Sequence, residues 1–260
     1  MATPAIEKEK FYRARIVERK DFTEDLWSIR IDPGGEFPYK PGQYATLGVI
    51  TPAKHSERAY SIVSSPYEKE VEFFIERVPN GELTPLLYEL HVGDTLTCRK
   101  AAKGRFTLDT EKGRPNHLLL CTVTGVVPFV SYVRTLLRDQ KESRFAGDQK
   151  LFLIEGASQS SEFGYAEELE HAAADASWLK YVATVSRPWV DASWKGEVGR
   201  VDDLIRKYSD LWGLRPDTTS VYLCGHPHMI EHSKDILHRA GWTKDQIKEE
   251  KFFIPGKEGH

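Results

Sequence analysis

Arg58, Tyr60 and Ser61 stand together in the stretch ERAYSIVSSP, residues 57–66. In an extended strand, residues two apart share a face, so Arg58 and Tyr60 point one way and Ser61 the other. A guanidinium holds a diphosphate through two parallel bonds. An aromatic ring offers a face to a flat heterocycle, and a small hydroxyl serves a hydrogen-bonding edge. A flavin dinucleotide has all three features, its N5 edge being the part that Ser61 would serve. Further on, PNGELT brings Thr84, expected to cap a short helix over PLLYEL with Pro85 in its first position. The free N–H groups of such a helix suit the same diphosphate. Taken alone, the tetrapeptide RAYS fits equally well an ordinary strand with two polar surface residues.

The elements needed to hold such groups follow from the rest of the chain. At 260 residues it has room for two domains. A net charge of −3 gives no support for a nucleic-acid binder. The longest apolar runs, such as HLLLCTV, fall far short of the ~20 residues of a membrane span. The opening MATPAIEKEK lacks the apolar segment of a secretory signal, which points to the cytoplasm. Cys98, Cys121 and Cys224 lie far apart, a pattern unlike a disulfide scaffold, a zinc site or an iron–sulfur cluster. The histidines are scattered, His226 and His228 being the one close pair, and no metal is expected. Redox chemistry here would need an organic cofactor.

The first half reads as short strands rich in β-branched and aromatic residues: FYRARIVERK, LWSIRID, QYATLGVI, RAYSIVSS, EVEFFIERV and TLTCRK. Turn signals such as DPGG, KPG and PNGE separate them, and six strands so spaced predict an antiparallel β-barrel. From about residue 116 strands and helices alternate. NHLLLCTVT, KLFLIEG, LKYVATVS, TSVYLCG and KEEKFFIP are the strands. VVPFVSYVRTLLRD, EFGYAEELEHAAA, GRVDDLIRKYS and HMIEHSKDILHRAG are the helices. That alternation predicts an α/β doubly wound parallel sheet with right-handed crossovers. The expected domains are 1–110 and 111–260, parted in the polar segment DTEKGRPN, with ligands held where the two meet.

Five motifs stand in order: YKPGQY (39–44), RAYS (58–61), GELT (81–84), TVTGVVPF (122–129) and YLCGHPHM (222–229). Together they resemble the ferredoxin–NADP reductase family, particularly its bacterial members, over essentially the whole chain. The resemblance implies an FAD-binding barrel and a nicotinamide-binding α/β domain. It also implies electron exchange between NADP(H) and a one-electron carrier, ferredoxin or flavodoxin, through hydride exchange between nicotinamide C4 and flavin N5. A monomer is the expected state. Arg58, Ala59, Tyr60 and Ser61 match the family's flavin motif. Glu82, Leu83 and Thr84 match its diphosphate segment, and Ile75, Glu76 and Arg77 a strand flanking the flavin. Thr124 matches a residue that touches FAD, and Gly125 lies in the glycine loop beside it. Ser186 and Arg187 match a pair that grips the 2′-phosphate of NADP, and Arg200 matches a second such arginine. Cys224 matches a cysteine near nicotinamide C4, Gly225 the turn beneath it, and Glu250 the C-terminal acid. Ser61, Cys224 and Glu250 are thus the expected catalytic residues.

Three departures accompany these matches. Relatives usually read T-G-T-G-x-x-P where this chain has T-V-T-G-V-V-P, so the stiff Val123 replaces a glycine that lets a dinucleotide approach. Ser158 takes the place of a further arginine. At the C-terminus Phe252 and Phe253 replace the aromatic residues that cover the flavin, keeping a stacking face without a polar handle. Two other readings share these motifs. One is a reductase component feeding an oxygenase or another electron-transfer chain. The other is a flavin-carrying subunit with impaired nicotinamide turnover.

Overall fold

The structure is a computed structural model, and it describes residues 10–111 and 113–252. The chain divides into two compact units, the first running to Thr107 and the second spanning Leu108–Phe253.

The first unit holds β1 (Phe11–Asp21), β2 (Leu26–Asp32), β3 (Tyr44–Ile50), β4 (His55–Ser61), β5 (Val71–Glu76), α1 (Thr84–Tyr88) and β6 (Thr95–Arg99). The six strands form one antiparallel sheet in the order β4-β3-β6-β1-β2-β5. Just after β4 the chain changes partners. The Ile62 N–H donates to Gln43 at 3.1 Å, and the next N–H, that of Val63, donates to Glu72 in β5 at 2.9 Å. One edge strand is thereby joined to the other and the sheet curls into the expected barrel. Its interior is built from alternate residues, Ile29 and Ile31 of β2, Ala45 and Leu47 of β3, Phe73 and Ile75 of β5. Leu83 and Leu87 close it from the helical side.

Two expectations need correction. The fourth strand begins three residues before RAYS and ends at Ser61, because Ser56 and His55 pair with Val49 and Ile50 of β3. Thr84 does not cap α1: Leu83 holds the cap position and Thr84 is the first helical residue. The Thr84 hydroxyl is engaged elsewhere, accepting the Val78 N–H at 3.0 Å.

The second unit contains β7 (Asn116–Thr122), α2 (Val127–Lys141), β8 (Lys150–Ala157), α3 (Ala166–Asp175), β9 (Leu179–Val185), β10 (Glu197–Val198), α4 (Val201–Leu211), β11 (Thr219–Gly225), α5 (Pro227–Arg239) and β12 (Ile247–Lys251). All pairings are parallel, in the order β10-β9-β8-β7-β11-β12. Leu118, Leu120, Ile154, Val221 and Leu223 face α4 and α5, which bring Leu204, Ile205, Tyr208, Ile230 and Leu237. The opposite face takes α2, whose Tyr132 ring lies 6.4 Å from that of Tyr222. Helices on both faces explain why β11 is buried along its whole length. No described helix is long and apolar enough to cross a membrane.

Candidate functional site

In the barrel unit one predicted residue, Glu82, draws two cations. Arg58, on β4, donates to the Glu82 carboxylate at 2.7 Å, and Lys54 pairs with the same group. The Lys54 ammonium first, then the Arg58 guanidinium, hold the Glu82 carboxyl below the usual carboxylate range. The sequence reading placed Glu82 in the diphosphate segment without foreseeing this contact, and Lys54 was missed altogether. Two cations focused on one anion are the chemistry a diphosphate needs.

Tyr60 packs against the barrel core, and its phenol oxygen is buried without a hydrogen-bond partner among the described residues. Burial pushes that phenol well above its ordinary value. A buried hydroxyl left unbonded costs about 1–3 kcal/mol, so its presence fits a ligand that brings polar atoms of its own. Ser61 is its neighbour at the end of β4, opposite Tyr44. Ala59 is exposed on the same strand.

The segment Ile75–Glu76–Arg77 divides by role. Ile75 is in the core, so only its backbone is available to a ligand. Arg77 is tied to Asp25 at 2.9 Å and lies 4.4 Å over the Tyr88 ring. Leu83 is likewise buried in the barrel interior. Of the predicted residues on β4, Arg58 is joined to Glu82, whereas Arg77 is engaged in a separate contact.

In the second unit the predicted residues fall at the carboxyl ends of the parallel strands, in two groups. The first lies where the strand order reverses, between β7 and β11, the position at which open α/β sheets take ligands. Here Val123–Val126 form a 3-10 turn between β7 and α2. A Cβ on Gly125 would stand 2.3 Å from the Cys224 carbonyl oxygen, and one on Gly225 would stand 2.4 Å from Thr122 Oγ1. Only glycine lets these two loops touch. Thr122 Oγ1 also accepts the His226 N–H at 2.9 Å, and the Phe252 N–H donates to Gly225 at 3.2 Å. Cys224 is fully buried and stands opposite Glu250 in the β11–β12 ladder. Burial, and then the Glu250 charge, push its thiol well above the ordinary range. A thiol so held stays protonated and is a poor nucleophile. Thr124 is buried in the same loop.

Val123 carries the strain of this loop. Its φ is 45°, the left-handed region, where a β-branched residue is an outlier. The backbone therefore keeps the conformation a glycine would adopt, although the residue is valine. Phe253 lies outside the described residues.

The second group gathers at the ends of β8, β9 and β10. Ser186 and Arg187 donate their N–H groups to Ala157 at 3.0 Å and Ser158 at 2.9 Å. β9 and β10 pair as Thr184 with Glu197 and Val185 with Val198. Two residues further along each chain come Arg187 and Arg200, both exposed, neither with an ion pair among the described residues. Gly199 is pinned between them: its N–H donates to Val185 at 3.0 Å and its carbonyl accepts Thr184 Oγ1 at 2.9 Å.

In this unit sequence reasoning also missed a buried acid. Glu155, on β8, is fully buried; Tyr181 donates to its Oε2 at 2.7 Å, while Oε1 has no partner among the described residues. Burial pushes its carboxyl up to about 8. The signal was the lone acid in the apolar run KLFLIEG.

Comparisons with known proteins agree with this layout. Residues 13–108 match the oxidoreductase FAD-binding domain and residues 119–235 the oxidoreductase NAD-binding domain. The ferredoxin–NADP reductase A of Sorangium cellulosum is 29% identical over 242 residues, 88% of this chain and 83% of its own. A propane 2-monooxygenase reductase component of Mycolicibacterium goodii is 27% identical over 250 residues, 94% of this chain and 68% of that one. Among solved structures, a ferredoxin NADP+ reductase of Neisseria gonorrhoeae with bound FAD and NADP superposes with a TM-score of 0.80 at 26% identity. It covers 94% of this chain and 99% of its own.

Proposed function

Because this chain belongs to the ferredoxin–NADP reductase family, we propose that it passes electrons between NADP(H) and a one-electron protein carrier, ferredoxin or flavodoxin, with FAD as its cofactor. The observation that carries the reading is the loop contact at the sheet's switch point. There Gly125 lies against Cys224 with no room for a side chain, and Glu250 stands in register with Cys224. When bound, FAD supplies the conversion between a nicotinamide's two-electron hydride and a carrier's single electrons.

The chain's own task is binding and orientation, which in favourable cases supplies about 7–11 kcal/mol of barrier lowering. Arg58 holds the diphosphate, with Lys54 as a second cation and the backbone of Leu83 and Thr84 beside it. The Tyr60 ring takes the flat ring system, and the Ser61 hydroxyl hydrogen-bonds the N5 edge. Ile75, Glu76 and Arg77 flank the flavin, Ile75 through its backbone. On the second unit Ser186, Arg187 and Arg200 take the 2′-phosphate, in keeping with NADP over NAD. Thr124 would touch the FAD, and Gly125 would let the nicotinamide nucleotide come close, with Gly225 shaping the turn. Cys224 and Glu250, paired in the ladder, would bracket the reacting carbon of the nicotinamide. Phe252, next to Gly225, gives a stacking face.

The test is direct. Purified protein should carry the flavin absorption, and NADPH should bleach it faster than NADH in stopped-flow mixing. A colourless preparation that takes up no FAD, or a flavin that neither nucleotide bleaches, refutes the reading. A second reading, a reductase component for an oxygenase, is favoured by the likeness to the propane 2-monooxygenase reductase over 94% of the chain. NADPH-driven reduction of ferredoxin, flavodoxin and an oxygenase component, run in parallel, separates the two.

A further inference from the structure

Four ionisable side chains stand in line across the second unit. The strand registers pair Glu155 of β8 with Cys121 of β7, Cys121 with Cys224 of β11, and Cys224 with Glu250 of β12. Residues level with one another in a parallel sheet project from the same face. Leu118, Leu120, Ile154 and Leu223 occupy the face toward α4 and α5, so the row lies on the other, beneath α2. It runs from the half-buried Glu250 through two fully buried thiols to a fully buried acid. The Cys121 thiol is turned toward β8, 3.9 Å from the Ile154 carbonyl oxygen. Around the row, α2 adds Tyr132, whose phenol feels Cys224 and Glu250, while its Arg134 is bound to Glu168 of α3 at 2.7 Å. α3 also brings Glu170 within electrostatic range of Tyr181.

Glu155 has no ion pair among the described residues, and Tyr181 serves only one of its oxygens, leaving Oε1 unbonded. An acid kept for structure has its buried oxygens bonded. One kept neutral by burial, in line with a site, is a store for a proton. We propose that Glu155 balances the charge of the nicotinamide ring: protonated while the ring is neutral, it yields its proton once the ring beside Cys224 is cationic. The inference rests on the NADP(H) reading given above and adds to it a residue outside the matched motifs. The balance is simple. One O–H bond breaks, the proton leaves toward solvent at the Glu250 end, and it returns when the cationic ring departs. Cys224 is two strand spacings from Glu155, about 10 Å. Across that gap a unit charge displaces an acid's titration by about one pH unit. A cation favours the carboxylate, so the titration moves down from about 8. At about pH 7.5 roughly half a proton is then released for each nucleotide bound.

The experiment is calorimetric titration of the FAD-loaded full chain in two buffers of different ionisation enthalpy, which counts the protons released on binding. The probes are NADP+ and 2′-phospho-ADP-ribose, the same molecule without the nicotinamide. NADP+ should release more protons than the ringless probe in the parent, and equal numbers should leave Glu155→Gln. Equal release from both probes in the parent refutes the inference while the nucleotide site stands. A Glu155→Gln variant that still releases the extra proton also refutes it, since the proton then belongs to another group such as Glu250. If neither probe binds, the NADP(H) reading itself falls and takes this inference with it. A measurement on the parent alone guards against a variant that does not fold. The infrared band of a protonated carboxyl should weaken with NADP+ and hold with the ringless probe; a band unchanged by NADP+ overturns the proposal.

Discussion

Replacing Val123 by glycine sets two costs against one gain. The gain is relief of a left-handed backbone, φ 45°, which costs an ordinary L-residue roughly 1–2 kcal/mol and strained functional-site residues about 1–3 kcal/mol. The first cost is a half-buried valine side chain, about 1 kcal/mol when half of a full burial is lost. The second is glycine's extra backbone entropy, roughly 0.5–1 kcal/mol. These nearly cancel, so Val123→Gly should leave stability within about 1 kcal/mol of the parent. Val123→Ala is the informative control, because it loses most of the side chain and keeps the strain. The glycine variant should therefore exceed the alanine variant by about 1 kcal/mol, or roughly 2–4 °C in melting temperature. Tryptophan fluorescence is the assay, since five of the six tryptophans belong to the second unit. An alanine variant melting at or above the glycine variant refutes the strain argument. With the branched side chain gone from the loop, the Kd for NADPH should also fall in Val123→Gly; an unchanged Kd means that the loop does not limit binding.

Further expectations concern the barrel and the buried groups. Arg58→Ala should raise the Kd for FAD on the order of tenfold or more, the size of a lost charged hydrogen bond, read as the flavin-to-protein absorbance ratio after dialysis. Glu155 keeps its proton when folded up to about pH 8 but releases it near the ordinary 4.5 when unfolded. Between those values the native state binds more protons, so the parent loses stability as pH rises, by up to about 1.4 kcal/mol per unit. Glu155→Gln keeps an acceptor for Tyr181 and should remove that slope; urea melts near pH 5 and near pH 8 that run parallel for the two proteins would contradict it. All three cysteines are buried, and burial pushes Cys98 up to about 12 and Cys121 and Cys224 well above the ordinary thiol range. A thiol-exchange reagent should find no rapid site in the native protein and three in urea.

Local patterns carried most of the fold. LWSIRID is β2 to the residue, because Glu24-Asp25 and the turn after Asp32 bracket an apolar run. TSVYLCG is likewise β11. The misreadings arose where a distant partner decides. β4 starts early because Val49 and Ile50 offer pairing positions, which no inspection of RAYS reveals. Thr84 has the composition of a cap, but its hydroxyl finds the Val78 N–H. At the candidate site the residue types could be read in advance; their electrostatics could not. Nothing local says that Glu82 answers Arg58 and Lys54, or that Glu155 is sealed against Tyr181. Val123 shows both sides, since the departure was visible in sequence while the retained backbone twist was not.

The two-residue strand β10 has a bearing on how such a protein could change its diet of reductant. Gly199, next to Arg200, is tied to β9 by two bonds, one of them from the Thr184 hydroxyl. That splint sits at the margin of the sheet, on its edge strand. On the proposed reading, coenzyme preference would be open to a single exchange that removes one of these bonds, such as Thr184→Val, with no charge altered.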